Sequence, residues 1–278
     1  MSATAHPGVV EIDLADANAD ANAVASRVLE VIDRARIVRV SGGSVSGSLD
    51  FIGVDAPTLL EFRNVSFSET PQFNDSRWRG LHLVGCHAPG IAIQRGVLDS
   101  LRMEECEFGG ALDLDSAELR HGAGFREVRV DASSEWAIRG TWLRAGGSVG
   151  FDGLICRGMV DFLGASIAGE LWITGADIGR VAGRVAVRAH LASLGGSLRL
   201  QGGVRGEVSV GHVTVNGDLD LRGLRIEGSP RALAAHSARV AGRIRCGQRP
   251  SADEPSPAFE ATGEVLLVAA DLTRLRCH

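Results

Sequence analysis

From Leu81 the chain divides into fives: LHLVG CHAPG IAIQR GVLDS LRMEE CEFGG. The first and third residues of each five are mostly apolar or small, as in Leu81/Leu83, Cys86/Ala88, Ile91/Ile93, Leu101/Met103 and Cys106/Phe108. Upstream, Phe73 and Ser76/Trp78 keep the phase, and one extra residue shifts it to Leu112/Leu114 and Ala117/Leu119. It returns from Val149/Phe151 to Ala176/Ile178, again from Val208/Val210 to Leu224/Ile226, and last as Val265/Leu267, Ala270/Leu272 and Leu275/Cys277. Residues two apart lie on one face of a strand. A corner every five residues re-aims the next pair inward. Four such sides close a coil of about 20–22 residues, and coils stack at the strand spacing of about 4.8 Å. Helix spacing is 3-4, not 2-3-2-3, and recurrent glycine opposes a helix. A β-sandwich requires longer strands. The expected fold is therefore an all-β solenoid.

Segments such as GELWITGADIG, GGSLRLQGG and NGDLDLRGLRIEG sharpen this reading. The pattern resembles the pentapeptide-repeat superfamily, and more closely the actinobacterial β-helical proteins often labelled "membrane-associated oxidoreductase". The resemblance covers about Val40 to Cys246 plus the C-terminal coil. It implies a right-handed quadrilateral β-helix. The residues that carry it are core positions, so it speaks to fold and assigns no activity.

Residues 1–39 read as an N-terminal segment and 40–278 as the β-helix domain. A helix is expected over roughly Asp16 to Arg36, with Val24, Val28, Val31, Ile32 and Ala35 on one face and Asp13 or Asp16 as its cap. Its expected role is to cover the open strand edges at the solenoid's end. No comparable cap follows Cys277, which suggests a homodimer through the open C-terminal coil. Two interruptions stand out. Residues 120–147 form an irregular coil with two tryptophans, and 247–258 are a polar, proline-rich surface loop.

Composition removes several chemistries. All 29 basic residues are arginine and tyrosine is absent. Schiff bases, a pyridoxal-phosphate anchor, the phosphate-loop lysine and tyrosine acid/base chemistry are thereby excluded. A net charge of −5 argues against a general nucleic-acid binder. No stretch approaches the roughly 18 apolar residues of a membrane span. Five scattered cysteines without CxxC fit a reduced, cytoplasmic setting.

The candidate site is the irregular coil. Trp136 and Trp142 can line an apolar pocket there or simply pack the coil on its neighbour. His121, Asp131 and Glu135 can supply acid/base groups, and Arg126 and Arg139 can bind an anion. His82 and His87 face outward, with His87 one coil from Glu107, as a binding pair or a solvated surface ladder. His190 reads as inward and neutral. Cys86 and Cys106 stack one coil apart as small core residues. The GGSVG run, Gly146–Gly150, matches GxSxG, yet the nucleophile elbow needs a following helix, and none is expected. No dinucleotide motif or zinc-like spacing appears, so no cofactor or metal is expected. Outward aspartates, among them Asp50, Asp113, Asp152, Asp161, Asp218 and Asp220, invite comparison with pentapeptide-repeat proteins that protect DNA gyrase by imitating DNA. Here Arg199, Arg222 and Arg225 interleave with them.

Two functions follow. One is a non-catalytic scaffold presenting a side face or end to a macromolecular partner, with topoisomerase protection or self-resistance as one version. The other is a cofactor-independent isomerase, cyclase or hydrolase of actinobacterial secondary metabolism, with its pocket around Trp136.

Overall fold

Every inward pair read from the repeat has a partner one coil away. The structure, a computed structural model, describes residues 2–6, 8–14, 18–179, 184–247, 258–268, 270–272 and 275–276. It is a right-handed parallel β-solenoid of about ten turns with a single described helix. The surface loop expected over 247–258 lies, but for its two ends, outside the described residues, as does Cys277.

Four parallel ladders form the four sides. On the first side, Val38, Leu60, Leu81, Leu101, Ala123, Val149 and Leu171 stack in register and continue to Leu198, Leu219 and Ile244. On the second, Ala88, Phe108, Val130, Cys156, Ile178 and Val204 do the same. The third holds Ile91, Leu112, Ile138, Val160 and Val187, and the fourth Trp78, Leu98, Leu119, Ala145 and Ile167. These residues are buried, and they form one continuous core cluster. Aromatic rings stack within it, Phe125 on Phe151 at 4.3 Å and Phe51 on Phe73 at 5.4 Å. Parallel strands covered on one face by a filled core and stacked every about 4.8 Å leave no room for an internal ligand.

Two corners are built from left-handed backbone in nearly every coil. Between the first and second sides this position is Asn64, Gly85, Glu105, Glu127 and Gly153 in successive coils, with φ of 52–70°. Between the third and fourth it is Asp75, Arg95, Ser116, Trp142, Gly164, Leu191, His212 and Ser237. Glycine is one solution to this corner and not the general one.

The N-terminal reading needs correction in three respects. The helix spans Ala21–Leu29, shorter than expected. Its cap is Asp20, whose carboxylate accepts from the Ala23 N–H at 3.1 Å, and not Asp13 or Asp16. Strands Val9–Asp13 and Asn18–Asp20 precede it and pair in parallel with Ile37–Ser41 and Ser44–Ser46. The solenoid ladder therefore starts before the helix, which is inserted into the first coil after its second side. The apolar face was read correctly. Val24, Val28, Val31, Ile32 and Ala35 are all buried in the core cluster. The Thr58 hydroxyl, between the Ile32 and Ala35 carbonyls, ties the segment after the helix to the next coil.

Candidate functional site

The coil read as irregular is a complete coil. Gly122–Arg126 forms its first side, Arg129–Val130 its second, Ile138–Arg139 its third and Arg144–Ala145 its fourth. From Ala123 to Val149 it advances 26 residues, four more than the 22 from Val149 to Leu171. The excess falls where the register shifts, between Asp131 and Ile138.

The expected site residues are consequently spread around this coil. His121 is exposed at the end of the fourth side, its Nδ1 3.1 Å from the Asp99 carbonyl oxygen. Arg126, at the end of the first side, donates to Glu104 at 2.8 Å. Asp131 pairs with Arg157 at 3.7 Å at the end of the second side. Glu135 is exposed in the inserted stretch. Trp136 is half-buried beneath Arg139, whose guanidinium carbon lies 5.2 Å from the ring centre. Arg139 also reaches Asp113 and Asp115, each at 3.4 Å. Trp142 lines no pocket with Trp136. It occupies the left-handed corner between the third and fourth sides, is 56% exposed, and lays its ring over Gly164. His121, Asp131 and Glu135 thus do not share one side of the rod.

A concave feature crosses this coil along the edge between the second and third sides. It is a groove of about 560 Å³ whose lining includes Phe67, Ala88, Pro89, Phe108, Val130 and Cys156. These residues come from successive coils, so the groove runs along the axis. Its rim is the outward ladder His87, Glu107, Arg129 and Ile155, joined by Asp131 and Arg157. His87 Nε2 lies 3.3 Å from Glu107 Oε2, and Arg129 Nε 4.0 Å from Glu107 Oε1. All three side chains are more than half exposed, so these pairs hold charge at the surface and add little stability. The one buried nucleophile on the floor is inert. Burial, then the charge of Asp177, pushes the Cys156 thiol up to about 12, so it stays protonated at neutral pH.

Other residues singled out from the sequence are structural. His82 is half-buried with Nε2 3.3 Å from Ser100 Oγ. Cys86 and Cys106 are buried free thiols in the second-side corner, and mutual hydrogen bonding and burial push Cys86 up. The outward aspartates do not make an acidic stripe. Asp161 is 0% exposed because Arg188 clamps it with two nitrogens and Thr141 donates to it. Asp220 is covered by Arg222 and faces Arg199, and Asp218 pairs with Arg245. His190 was misread as inward. It is half-exposed on the edge between the third and fourth sides, in contact with His212 and His236. Among the described residues no group of three or more His, Cys, Asp or Glu side chains, as placed, could hold a metal ion. Nor does any described helix have the length and apolarity to cross a membrane. Compared with protein-family models, curated proteins and solved structures, the chain finds no match in any of the three.

Proposed function

We propose that this chain is a non-catalytic binding scaffold that holds a protein partner along the groove between its second and third sides. The observation that carries the reading is the groove's construction, a rim of both charge signs, His87, Glu107, Arg129, Asp131 and Arg157, with Pro89 and Ile155 as exposed apolar groups beside it. From the coil of Phe67 to that of Cys156 it crosses four coil steps, roughly 19 Å at the strand spacing. That length suits an extended polypeptide segment of about six residues, its polar groups among the rim charges and its apolar side chains against Pro89 and Ile155. The chain's own charge of −5 and the neutralised aspartates favour a protein over nucleic acid. Target protection, in which the rod shields a topoisomerase or confers self-resistance, is one form of this role. Buried free thiols at Cys86, Cys106 and Cys156 support a cytoplasmic setting. The catalytic alternative around Trp136 loses support because its histidine, His121, sits at the end of the fourth side, away from Asp131 and Glu135.

The test is site-directed photo-crosslinking in the source cells. A benzophenone side chain replacing Ile155, on the groove rim, is expected to capture a discrete protein adduct. The same group replacing Ser193, on the fourth side, is expected to capture none. Adduct formation that is equal at both positions, or absent at Ile155, overturns the reading. Purified DNA gyrase, with and without the chain, then decides the topoisomerase version in a supercoiling assay. A second association is also proposed, between two copies through the last coil, where Val265, Leu267 and Val268 are exposed.

A further inference from the structure

Three imidazoles meet on the edge next to the groove's, between the third and fourth sides. His190, Gly211 and His236 occupy one position in three successive coils. The Leu191 N–H donates to the Gly211 carbonyl and the His212 N–H to the His236 carbonyl. His212 takes the adjoining left-handed corner position at φ 54°. The rings of His190 and His236 both lean over the coil between them, and glycine leaves that space open. A Cβ on Gly211 would stand 2.5 Å from His236 Cε1 and 2.9 Å from His190 Nδ1. The three ring centres are 5.1, 5.2 and 5.7 Å apart.

We propose that His190, His212 and His236 form a binding site for one divalent transition-metal ion of the zinc class. A tetrahedral ion with Zn–N bonds of about 2.0–2.1 Å holds its imidazole centres about 3.2 Å from the metal and so about 5.2 Å from one another. The edge already has that spacing. What it lacks is ring direction, since two of the pairs pack edge to face, at 83° and 89°. A histidine ring centre lies close to the Cβ–Cγ axis. Rotation about that broad torsion turns the nitrogens toward a common point and leaves the centres nearly in place. Ligands must be neutral imidazoles. Arg188, two residues before His190, is itself occupied by Asp161. His212 is exposed and the other two half-exposed, so an ion enters from solvent and keeps a position for water. An all-imidazole set selects zinc, copper or nickel over magnesium or calcium, which require oxygen ligands.

The test is calorimetric titration of the tag-free chain with zinc chloride, repeated with cobalt(II), whose visible absorption reports tetrahedral coordination. One ion per chain is expected. His212→Asn keeps a residue that tolerates the left-handed corner and is expected to weaken binding about tenfold or more. Gly211→Ala touches no ligand and is expected to weaken it as well, by filling the space the rings share. Absence of zinc uptake by the wild-type chain overturns the proposal. So does unchanged uptake by the variant carrying His190→Ala, His212→Asn and His236→Ala. If that variant does not fold, His190→Gln and His236→Gln, singly, carry the same comparison.

Discussion

Trp78 fills the core of an early coil, its ring centre 5.3 Å from Phe51 and 6.2 Å from Phe73, both near edge to face. Its indole N–H is buried with no hydrogen-bond partner. A buried donor without an acceptor costs about 1–3 kcal/mol, so the ring's volume and not its polarity holds this coil. Trp78→Phe is therefore expected to change unfolding free energy by less than about 1.5 kcal/mol, while Trp78→Ala loses about 3–5 kcal/mol. Urea unfolding of the two variants reads the difference, and equal losses would show that the N–H matters. Histidine burial has a second consequence. At His82 burial, then Arg102, lowers the pKa, and His190 is lowered in the same way. The folded chain then binds fewer protons than the unfolded one just below the ordinary histidine value of about 6.5. Their contribution is complete above that value and is lost as pH falls through the folded-state values. Glu61 acts in the same sense at lower pH. Burial raises its carboxyl, but hydrogen bonds from Arg39 and Arg63 outweigh burial and hold it low. The melting temperature is expected to be level from about pH 7 upward and to decline below about pH 6.5. In the His82→Asn, His190→Asn double variant the first part of that decline should shrink.

At the level of coils, what the repeat leaves out is where extra residues go. Register breaks in three coils fall at the same edge, after the second side. They lie between Asp131 and Ile138, between Val185 and Val187, and between Glu227 and Leu233. The coils between them carry a glycine at this edge instead. Gly158, Gly206 and Gly263 have φ of 119°, 132° and 124°. Each lies under a neighbouring insertion, since a Cβ on Gly158 would stand 2.8 Å from the Ala137 nitrogen and one on Gly206 2.7 Å from the Arg184 carbonyl oxygen. Gly158→Ala is thus expected to cost about 1–3 kcal/mol through clash and backbone strain. Gly124 has open space around its Cβ position and no positive φ. Gly124→Ala is expected to be neutral or to stabilise by up to about 1 kcal/mol. Thermal melts of the pair check the contrast. Inward pairs such as Leu81/Leu83 were legible because burial obeys a strict two-residue period. Corners and insertions were not, because their phase shifts depend on the coil above and below. His190 shows the cost: alternation through Ala189 and Ala192 slips at the corner and turns the histidine outward. Its neighbours His212 and His236 follow at 22 and 24 residues, one coil each, a spacing that was open to reading but had no motif to mark it.

Across the whole rod, outward charges are arranged to cancel along the axis. Arg39 bridges Glu11 and Glu61, Arg139 spans Asp113 and Asp115, and Arg188 clamps Asp161. Such ladders leave little unbalanced field on a side, which is why the candidate surfaces are a groove and an end rather than an acidic stripe. At that end, Glu260–Leu266 pairs on one edge with Leu224–Ala234, and no described strand pairs with its other edge. Val265 is 40% and Val268 63% exposed on the same coil. An unpaired parallel edge with apolar side chains is a template for another chain. Two copies stacked through this coil would satisfy the edge and cover those side chains, and the interface would be the same patch on both copies. The expected result is a concentration-dependent dimer in light scattering, converted to monomer by Val265→Glu with Val268→Glu. Both positions are exposed, so the monomeric variant should melt no more than a few degrees below the wild-type monomer, about the effect of one kcal/mol. A chain that scatters as a strict monomer at about 100 μM, where a micromolar interface would be nearly saturated, rules this association out.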